Sequence, residues 1–302
     1  MGTKNATFAH RIEYGAVLFI EGLFRIMPYA FCVGFACALS RFAFHILRWR
    51  RREAVRRIKS VFGDAVTDTE ANRIAYQSLR NSALIVAEIM YGRTLRESWI
   101  EKHVSGHMDC VKLFKSLTDS GHGVVLALPH FGNWYLAGSI VAHYGTPLFA
   151  VAGAQHNPLT NDWMNRKLYT GMTVFERGSS AIRQCVKSLR SQGVLAILPD
   201  VRMKQPDLTV RFLGGDANLG RGMASFARKT NSPIVLARLR RNGLTHHEIR
   251  VAEPLFPDPS LDDAADIRRM TEAVMSSIEA QIRADPGQWF WYNRRWVLDP
   301  LT

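Results

Sequence analysis

His130 follows a short apolar run, at a position where an imidazole can do chemistry. The run Val124 to Leu128 is rich in branched residues and ends at Pro129, which predicts a strand buried on both faces. Asn133 can cap a helix that follows it through Ala142. His130 would then lie on the turn between strand and helix, open to solvent and substrate. A lone histidine can also simply bond the backbone at a strand end, so both interpretations stay open.

Asp200 is the second candidate, because it ends another predicted buried strand, Val194 to Leu198. The carboxyl ends of neighbouring strands in an open α/β sheet meet at one edge, so Asp200 can lie near His130. A strand-end aspartate that only caps a turn is the competing interpretation.

A glycine-rich segment, Phe212 to Gly222, leads into a predicted helix and contains Gly214, Gly215 and Arg221. Its backbone amides and the Arg221 guanidinium could hold a phosphate or carboxylate, although glycines also simply form turns. Arg177 could likewise pair with an anionic group, although a single arginine is more often a surface residue.

Alternating strands and helices must position these residues. Strands are predicted at 124–128, 148–151, 172–175, 194–198, 208–212, 234–239 and 247–251, and helices at 67–90, 133–142, 158–169, 179–191, 219–230 and 262–284. This alternation predicts an α/β fold with a mixed central sheet flanked by helices.

Residues 1–60 are predicted to form a membrane-associating helical anchor, and residues 61–302 the α/β domain. The uncharged piece of the anchor, Ile26 to Ser40, is shorter than the ~20 residues that a spanning helix needs. We therefore expect a helix that lies in the interface or inserts shallowly. The aromatic residues expected to enter lipid are Phe19, Phe24, Tyr29, Phe31, Phe35, Phe42 and Phe44.

Positive charge concentrates in the same segment. The chain has 39 Lys and Arg against 26 Asp and Glu, a net charge of +13. A cluster of arginines from Arg48 to Arg57 follows the apolar part of the anchor, which indicates contact with an acidic membrane surface. No nucleic-acid-binding motif accompanies the charge, so nucleic acid is not expected as a partner. The four cysteines lack metal-ligand spacing and indicate reduced thiols in a cytosol-facing protein.

Five motifs together resemble the lysophospholipid acyltransferase-like superfamily, and within it the lipid A late acyltransferases and phosphatidylinositol mannoside acyltransferases. In chain order they are His130-Phe-Gly-Asn-Trp, Arg177-Gly178, Leu-Pro-Asp200, Val210-Arg-Phe-Leu-Gly-Gly, and Pro286-Gly-Gln-Trp-Phe-Trp-Tyr-Asn-Arg-Arg-Trp296. The resemblance covers nearly the whole chain.

The resemblance implies a glycerolipid acyltransferase-like fold and a reaction. A fatty acyl chain would pass from a thioester of acyl carrier protein or coenzyme A to a hydroxyl, or an amine, of a membrane lipid or glycolipid. His130 would be the general base, at the cytoplasmic face of a bacterial inner membrane, with lipid A biosynthesis as the setting. No metal or redox cofactor is implied. The residues expected to bind substrate are Gly132, Asn133, Arg177, Gly214, Gly215 and Arg221.

One position departs from the family pattern. The family signature is His-x4-Asp/Glu, and this chain has Tyr135 where the acid is expected. A tyrosine cannot stabilise an imidazolium as a carboxylate does. Asp200 is the preferred substitute acid and Glu176 the second choice, while the Tyr135 hydroxyl could position an acceptor. The alternative is a catalytically inactive protein that binds lipid or a partner. A hydrolase is less favoured, because the Gly-x-Ser-x-Gly elbow is missing.

Overall fold

The computed structural model of the protein describes residues 6–92, 94, 96–153, 156–167, 171–176 and 178–299. Its helices are α1 (Phe8–Ile26), α2 (Tyr29–His45), α3 (Arg51–Phe62), α4 (Asp68–Tyr91), α5 (Glu97–His103), α6 (His107–Asp119), α7 (Trp134–His143), α8 (Pro158–Lys167), α9 (Ser179–Arg190), α10 (Gly222–Thr230) and α11 (Asp263–Ala284). Its strands are β1 (Val104–Ser105), β2 (Val124–Ala127), β3 (Leu148–Ala152), β4 (Met172–Glu176), β5 (Val194–Ile197), β6 (Leu208–Phe212), β7 (Gly215–Leu219), β8 (Ile234–Asn242) and β9 (His246–Val251).

The central sheet has the strand order β1-β9-β8-β2-β5-β3-β4. Every pairing in it is parallel except the β8–β9 hairpin. The predicted α/β fold with a mixed sheet flanked by helices is therefore confirmed. Strand β2 lies between β5 and β8, and all four of its residues are buried. Its side chains alternate between two hydrophobic cores, with Val124 and Leu126 in one and Val125 and Ala127 in the other.

The glycine-rich segment differs from the prediction. Strand β6 does not join the central sheet but pairs with β7 in a separate antiparallel hairpin. Strand β7 was not predicted, because Gly215-Asp-Ala-Asn-Leu219 lacks the branched and aromatic residues typical of strands. Helix α10 consequently begins at Gly222 rather than at Leu219.

The N-terminal helices pack on the rest of the chain, and the predicted boundary between residues 60 and 61 lies within α3. Helices α1 and α2 contact α4, and α1 also contacts α8. The Trp163 indole of α8 donates to the buried carboxylate of Glu21 in α1, at 2.7 Å. None of the helices in the described ranges has the length and apolar character needed to cross a membrane.

The outer faces of these two helices carry exposed aromatic rings at Phe19, Phe31, Phe35 and Phe42. The expectation was wrong for Phe24 and Phe44, which are buried in the protein core. A run of aromatic residues in a sequence does not show which side of a helix each ring occupies, and helix packing decides it.

Replacing the buried Leu126 by alanine tests the central position of β2. We expect Leu126→Ala to lower the free energy of unfolding by ~2–5 kcal/mol, because it removes a fully buried side chain and leaves a cavity. Urea denaturation of the full chain measures this. Val86→Ala, at a position 53% exposed, is the control and should change the free energy by less than ~0.5 kcal/mol. Equal effects of the two substitutions would contradict the placement of β2.

Candidate active site

His130 and Asp200 meet at the carboxyl edge of the central sheet. Strands β2 and β5 are parallel neighbours with Ala127 opposite Ile197, and the Leu128 amide donates to the Ile197 carbonyl at 2.9 Å. Each strand is followed by a leucine and a proline, and His130 and Asp200 come directly after these prolines. Paired parallel strands bring their exit turns together, so the sheet itself sets the approach of the two side chains.

The two side chains form a hydrogen-bonded dyad. His130 Nδ1 lies 2.9 Å from Asp200 Oδ1, and the His130 backbone amide donates to Asp200 Oδ2 at 2.8 Å. The Asp200 side chain is fully buried, whereas the imidazole is 18% exposed. A carboxylate on Nδ1 assigns the proton to that nitrogen, which leaves Nε2 unprotonated and able to accept a proton.

Asp200 is held in its ionised form. Burial by itself raises the pKa of the carboxyl. The charge and hydrogen bonds of His130 and the hydrogen bond from the Trp289 indole lower it by more, so the pKa lies below its ordinary value. Trp289 Nε1 donates to Asp200 Oδ2 at 2.8 Å. The site therefore offers an imidazole oriented by a buried carboxylate, which is the arrangement of a general base.

The C-terminal strap, residues 286–297, forms one wall of this site. Its Phe290 amide donates to the His130 carbonyl at 3.0 Å, and Phe131 and Trp289 form an antiparallel bridge. The cleft around the dyad is lined by His130, Asp200, Trp289, Phe290, Asn293, Arg295, Trp296 and Val297. The sequence identified the strap only as part of a family resemblance. Its density of tryptophan and arginine was the available signal for these wall residues.

Gly132 and Asn133 fix the turn between His130 and α7. Gly132 has φ +58°, and a Cβ there would lie 1.7 Å from the Leu239 carbonyl oxygen, so only glycine fits. Its amide donates to the Gln288 carbonyl at 2.9 Å. Asn133 Oδ1 accepts from the Leu136 amide at 3.0 Å and so caps α7, as predicted. In this structure the polar groups of both residues bind other parts of the protein.

Asn133 also reaches a second buried acid, Glu88 of α4, to which its Nδ2 donates at 2.6 Å. The Arg241 guanidinium donates to both Glu88 oxygens, at 2.5 and 2.7 Å, and the Tyr29 hydroxyl donates at 2.8 Å. His247 Nε2 lies 3.1 Å from Glu88 Oε1. Burial raises the pKa of Glu88, but Arg241 and then His247 lower it well below its ordinary range. These contacts join α2, α4, β8 and β9 to the turn that carries His130.

The sequence missed this Glu88 network. The sequence predicts a helix at 67–90 but assigns it no role in the site, and neither Glu88 nor Arg241 belongs to a recognisable motif. His246, His247 and Glu248 are three consecutive potential metal ligands, but neighbours on a strand face opposite sides. The structure shows that alternation, with His247 buried on Glu88 and His246 exposed.

Tyr135 lies in the first turn of α7 and is half-buried. The ring contact to His130 comes from its neighbour Trp134, at 5.1 Å between centroids, and Asp200 occupies Nδ1. Glu176 ends β4, which is separated from β2 by β5 and β3, and its side chain is exposed. With strands ~4.8 Å apart, this places Glu176 three strand spacings from the strand that leads to His130.

The remaining predicted binding residues lie on the β6–β7 hairpin, at the start of α10 or outside the described residues. Gly214 has φ +80° in the hairpin turn, and Gly215 packs against Leu298. Arg221 Nε donates to Asp207 Oδ1 at 2.8 Å, so this guanidinium already has a carboxylate partner. Arg177 lies outside the described residues. The structure thus brings Asp200 to His130 but does not bring Arg221 into the lining of the cleft.

The Glu88 network predicts a pH effect on stability. The pKa of Glu88 is depressed in the folded protein, so its contribution is complete above the unfolded value of ~4.3 and is lost as the pH falls toward the folded value. We expect the difference in unfolding free energy between wild type and Glu88→Gln to be largest near neutral pH and to shrink as the pH falls below ~4.3. Urea denaturation at several pH values measures it, with the exposed Glu101→Gln as the control. A difference independent of pH would contradict the ionised, buried Glu88.

Comparisons with known proteins show the family to which the chain belongs. The family model described as bacterial lipid A biosynthesis acyltransferase matches residues 3–297. A phosphatidylinositol mannoside acyltransferase of Mycolicibacterium smegmatis is 24% identical over 191 residues, covering 61% of this chain and 60% of the relative. One from Mycobacterium tuberculosis (strain CDC 1551 / Oshkosh) is 23% identical, covering 60% and 56%. The chain thus matches about three fifths of the length of these curated relatives.

Among solved structures, the 1-acyl-sn-glycerophosphate (LPA) acyltransferase PlsC from Thermotoga maritima matches at 14% identity, covering 76% of this chain and 94% of that chain, with a TM-score of 0.38. That similarity is too low to support an argument. The family model, by contrast, covers nearly the whole chain and confirms the resemblance drawn from the five sequence motifs. The chain belongs to the bacterial lipid A biosynthesis acyltransferase family.

Proposed function

We propose that this protein transfers a fatty acyl chain from the thioester of acyl carrier protein or coenzyme A to a hydroxyl, or an amine, of a membrane lipid or glycolipid. The observation that carries the proposal is the Asp200 carboxylate on His130 Nδ1, at 2.9 Å. The reaction needs a thioester co-substrate and no metal. The acceptor belongs to the lipid class on which the family acts, and we propose the cytoplasmic face of a bacterial inner membrane as the place of reaction.

His130 would act first as base and then as acid. Its Nε2 takes the proton of the acceptor hydroxyl while the acceptor oxygen attacks the thioester carbonyl. The tetrahedral intermediate then expels the thiolate, which receives the proton from the imidazolium. Asp200 stabilises the imidazolium between these steps and keeps the ring in the productive tautomer. The acid missing at the family position is thus supplied from the end of the neighbouring strand.

The alternative of an inactive, lipid-binding or partner-binding protein rested on the lack of an acid beside His130. A buried, ionised carboxylate within hydrogen-bond distance supports catalysis instead.

Membrane attachment is proposed to use the exposed face of α1 and α2. Phe19, Phe31, Phe35 and Phe42 are 43–74% exposed on this face. Apolar rings next to a basic segment favour a helix that lies in the interface of an acidic membrane. We therefore propose a peripheral or monotopic protein, with α1 and α2 entering the lipid headgroup region.

Variants of the dyad test the catalytic proposal. We expect Asp200→Asn to reduce kcat by about 10³–10⁴-fold, because the imidazole loses its orienting charge, and His130→Ala to abolish transfer. Tyr135→Phe should reduce kcat by far less than the ~10²-fold that follows loss of a proton-transfer group. The measurement is acyl transfer by the purified full chain in detergent, from acyl carrier protein and coenzyme A thioesters to a panel of lipid acceptors. Activity that survives His130→Ala would overturn the mechanism, and a larger loss in Tyr135→Phe than in Asp200→Asn would overturn the role of Asp200.

Serine replacements on the N-terminal helices test the membrane face. We expect the triple variant Phe31→Ser, Phe35→Ser, Phe42→Ser to bind phosphatidylglycerol vesicles at least ~10-fold more weakly in flotation assays. Each phenyl ring that enters the lipid contributes ~1.5–3 kcal/mol to the free energy of binding. The matched control, Met108→Ser, Ile182→Ser, Phe256→Ser, alters three side chains of similar exposure outside these helices. Equal losses in the two variants would contradict attachment through α1 and α2.

A further inference from the structure

A surface cavity of about 790 Å³ lies where α2 passes into α3, outside the cleft that holds His130. Its lining residues are Arg48, Arg50, Arg51, Arg52, Glu53, Val55 and Asn72. Four guanidinium groups and one carboxylate give the lining an excess of three positive charges. Since the first turn of α3 also forms part of the wall, the positive end of the helix dipole adds to this charge.

The one carboxylate in the lining is already paired. Glu53 accepts hydrogen bonds from Arg50 Nε and Nη2, both at 2.7 Å, and an ion pair from Arg57 at 2.5 Å. Arg51 Nε donates to a neutral partner, Asn72 Oδ1, at 2.7 Å. Arg48 and Arg52 are exposed and form no ion pair with a carboxylate in the described ranges. Arg48, Arg51 and Arg52 therefore have no counter-charge within the described residues.

The backbone of this turn is held in an unusual shape. Arg48 and Arg50 both lie in the left-handed region, with φ of 51° and 47°, which non-glycine residues rarely adopt. Arg50 Nη1 donates to the Tyr292 carbonyl at 2.5 Å, and the Trp49 ring stacks on the Tyr292 ring at 5.5 Å. The C-terminal strap, which also lines the catalytic cleft, thus supports the turn that carries these arginines.

Apolar side chains that flank Arg48 in the chain indicate what kind of anion the cavity binds. Ile46 and Leu47 are 68% and 62% exposed, and Trp49 is 46% exposed. Large apolar residues next to unpaired arginines suit a ligand that is anionic at its head and apolar below it. Guanidinium groups match phosphate oxygens through paired hydrogen bonds.

We propose that this cavity binds the phosphate of a membrane phospholipid headgroup, through Arg48, Arg51 and Arg52. It is a discrete, saturable site, distinct from a general attraction of basic residues to an acidic surface and from the acyl-transfer cleft. The proposal rests on the proposed membrane attachment but not on the role of His130.

Binding of a short phospholipid below its micelle concentration tests the site without a bilayer. Dihexanoyl phosphatidylglycerol is titrated into the full chain in a non-ionic detergent and followed by calorimetry. We expect one site per chain, and a Kd at least tenfold higher in Arg48→Gln, Arg52→Gln. The charge-matched control, Arg41→Gln, Arg56→Gln, removes two exposed arginines of α2 and α3 outside the cavity and should change Kd less than twofold. Thermal melts check that both variants are folded.

Several results would overturn the proposal. Equal weakening in the two double variants would indicate general charge attraction. Inorganic phosphate bound as tightly as the lipid would indicate a free-phosphate site, and coenzyme A that displaced the lipid would assign the cavity to the acyl donor. Absence of binding by wild type would exclude the site. Because no acyl transfer is measured, each of these outcomes leaves the His130 mechanism standing, and an inactive Asp200→Asn variant would leave this proposal standing.

Discussion

The buried carboxylate of Asp200 is the constraint on which the proposed catalytic centre depends. An ionised group with no solvent contact must be matched by donors, because an unpaired buried charge costs several kcal/mol. Its donors are the His130 backbone, the His130 ring and the Trp289 indole. They come from the turn after β2 and from the far C-terminus. The carboxylate is therefore satisfied only when the sheet and the strap are both in place, which couples the dyad to the complete fold.

A second buried carboxylate holds the same turn from its other side. Glu88 binds the Asn133 side chain, and Asn81 donates to the Gly132 carbonyl at 3.2 Å while accepting from Arg241 at 2.8 Å. Hydrogen bonds with α4 thus fix both the backbone and a side chain of the segment between β2 and α7. Fully satisfied networks of this kind rigidify their surroundings. An imidazole that must meet its acceptor within a few tenths of an ångström benefits from that rigidity.

The proposed membrane-facing side and the proposed reaction centre are held by connected contacts. The Tyr29 hydroxyl of α2 binds Glu88, and the strap residue Tyr292 binds Arg50 and stacks on Trp49. The proposed acyl transfer to a membrane lipid requires the catalytic group to be held at a set position relative to the bilayer. The N-terminal helices contact the turn that carries His130 through Glu88, and the segment that follows them contacts the cleft wall through Tyr292. The proposed lipid surface and the dyad are therefore connected by direct contacts.

The sequence alone predicted a buried strand at 124–128, one residue longer than in the structure, the turn position of His130 and Asp200 as a candidate site residue. Apolar runs and prolines act locally, and the shared edge of parallel strands is a general rule. Only the tertiary structure decided that Asp200 pairs with His130, that Glu88 meets Arg241, and which aromatic rings of α1 and α2 face outward. Those contacts join residues far apart in the chain. The order of residues along the chain does not show which face of a helix is buried or which strands become neighbours, because the packing of the whole chain determines both.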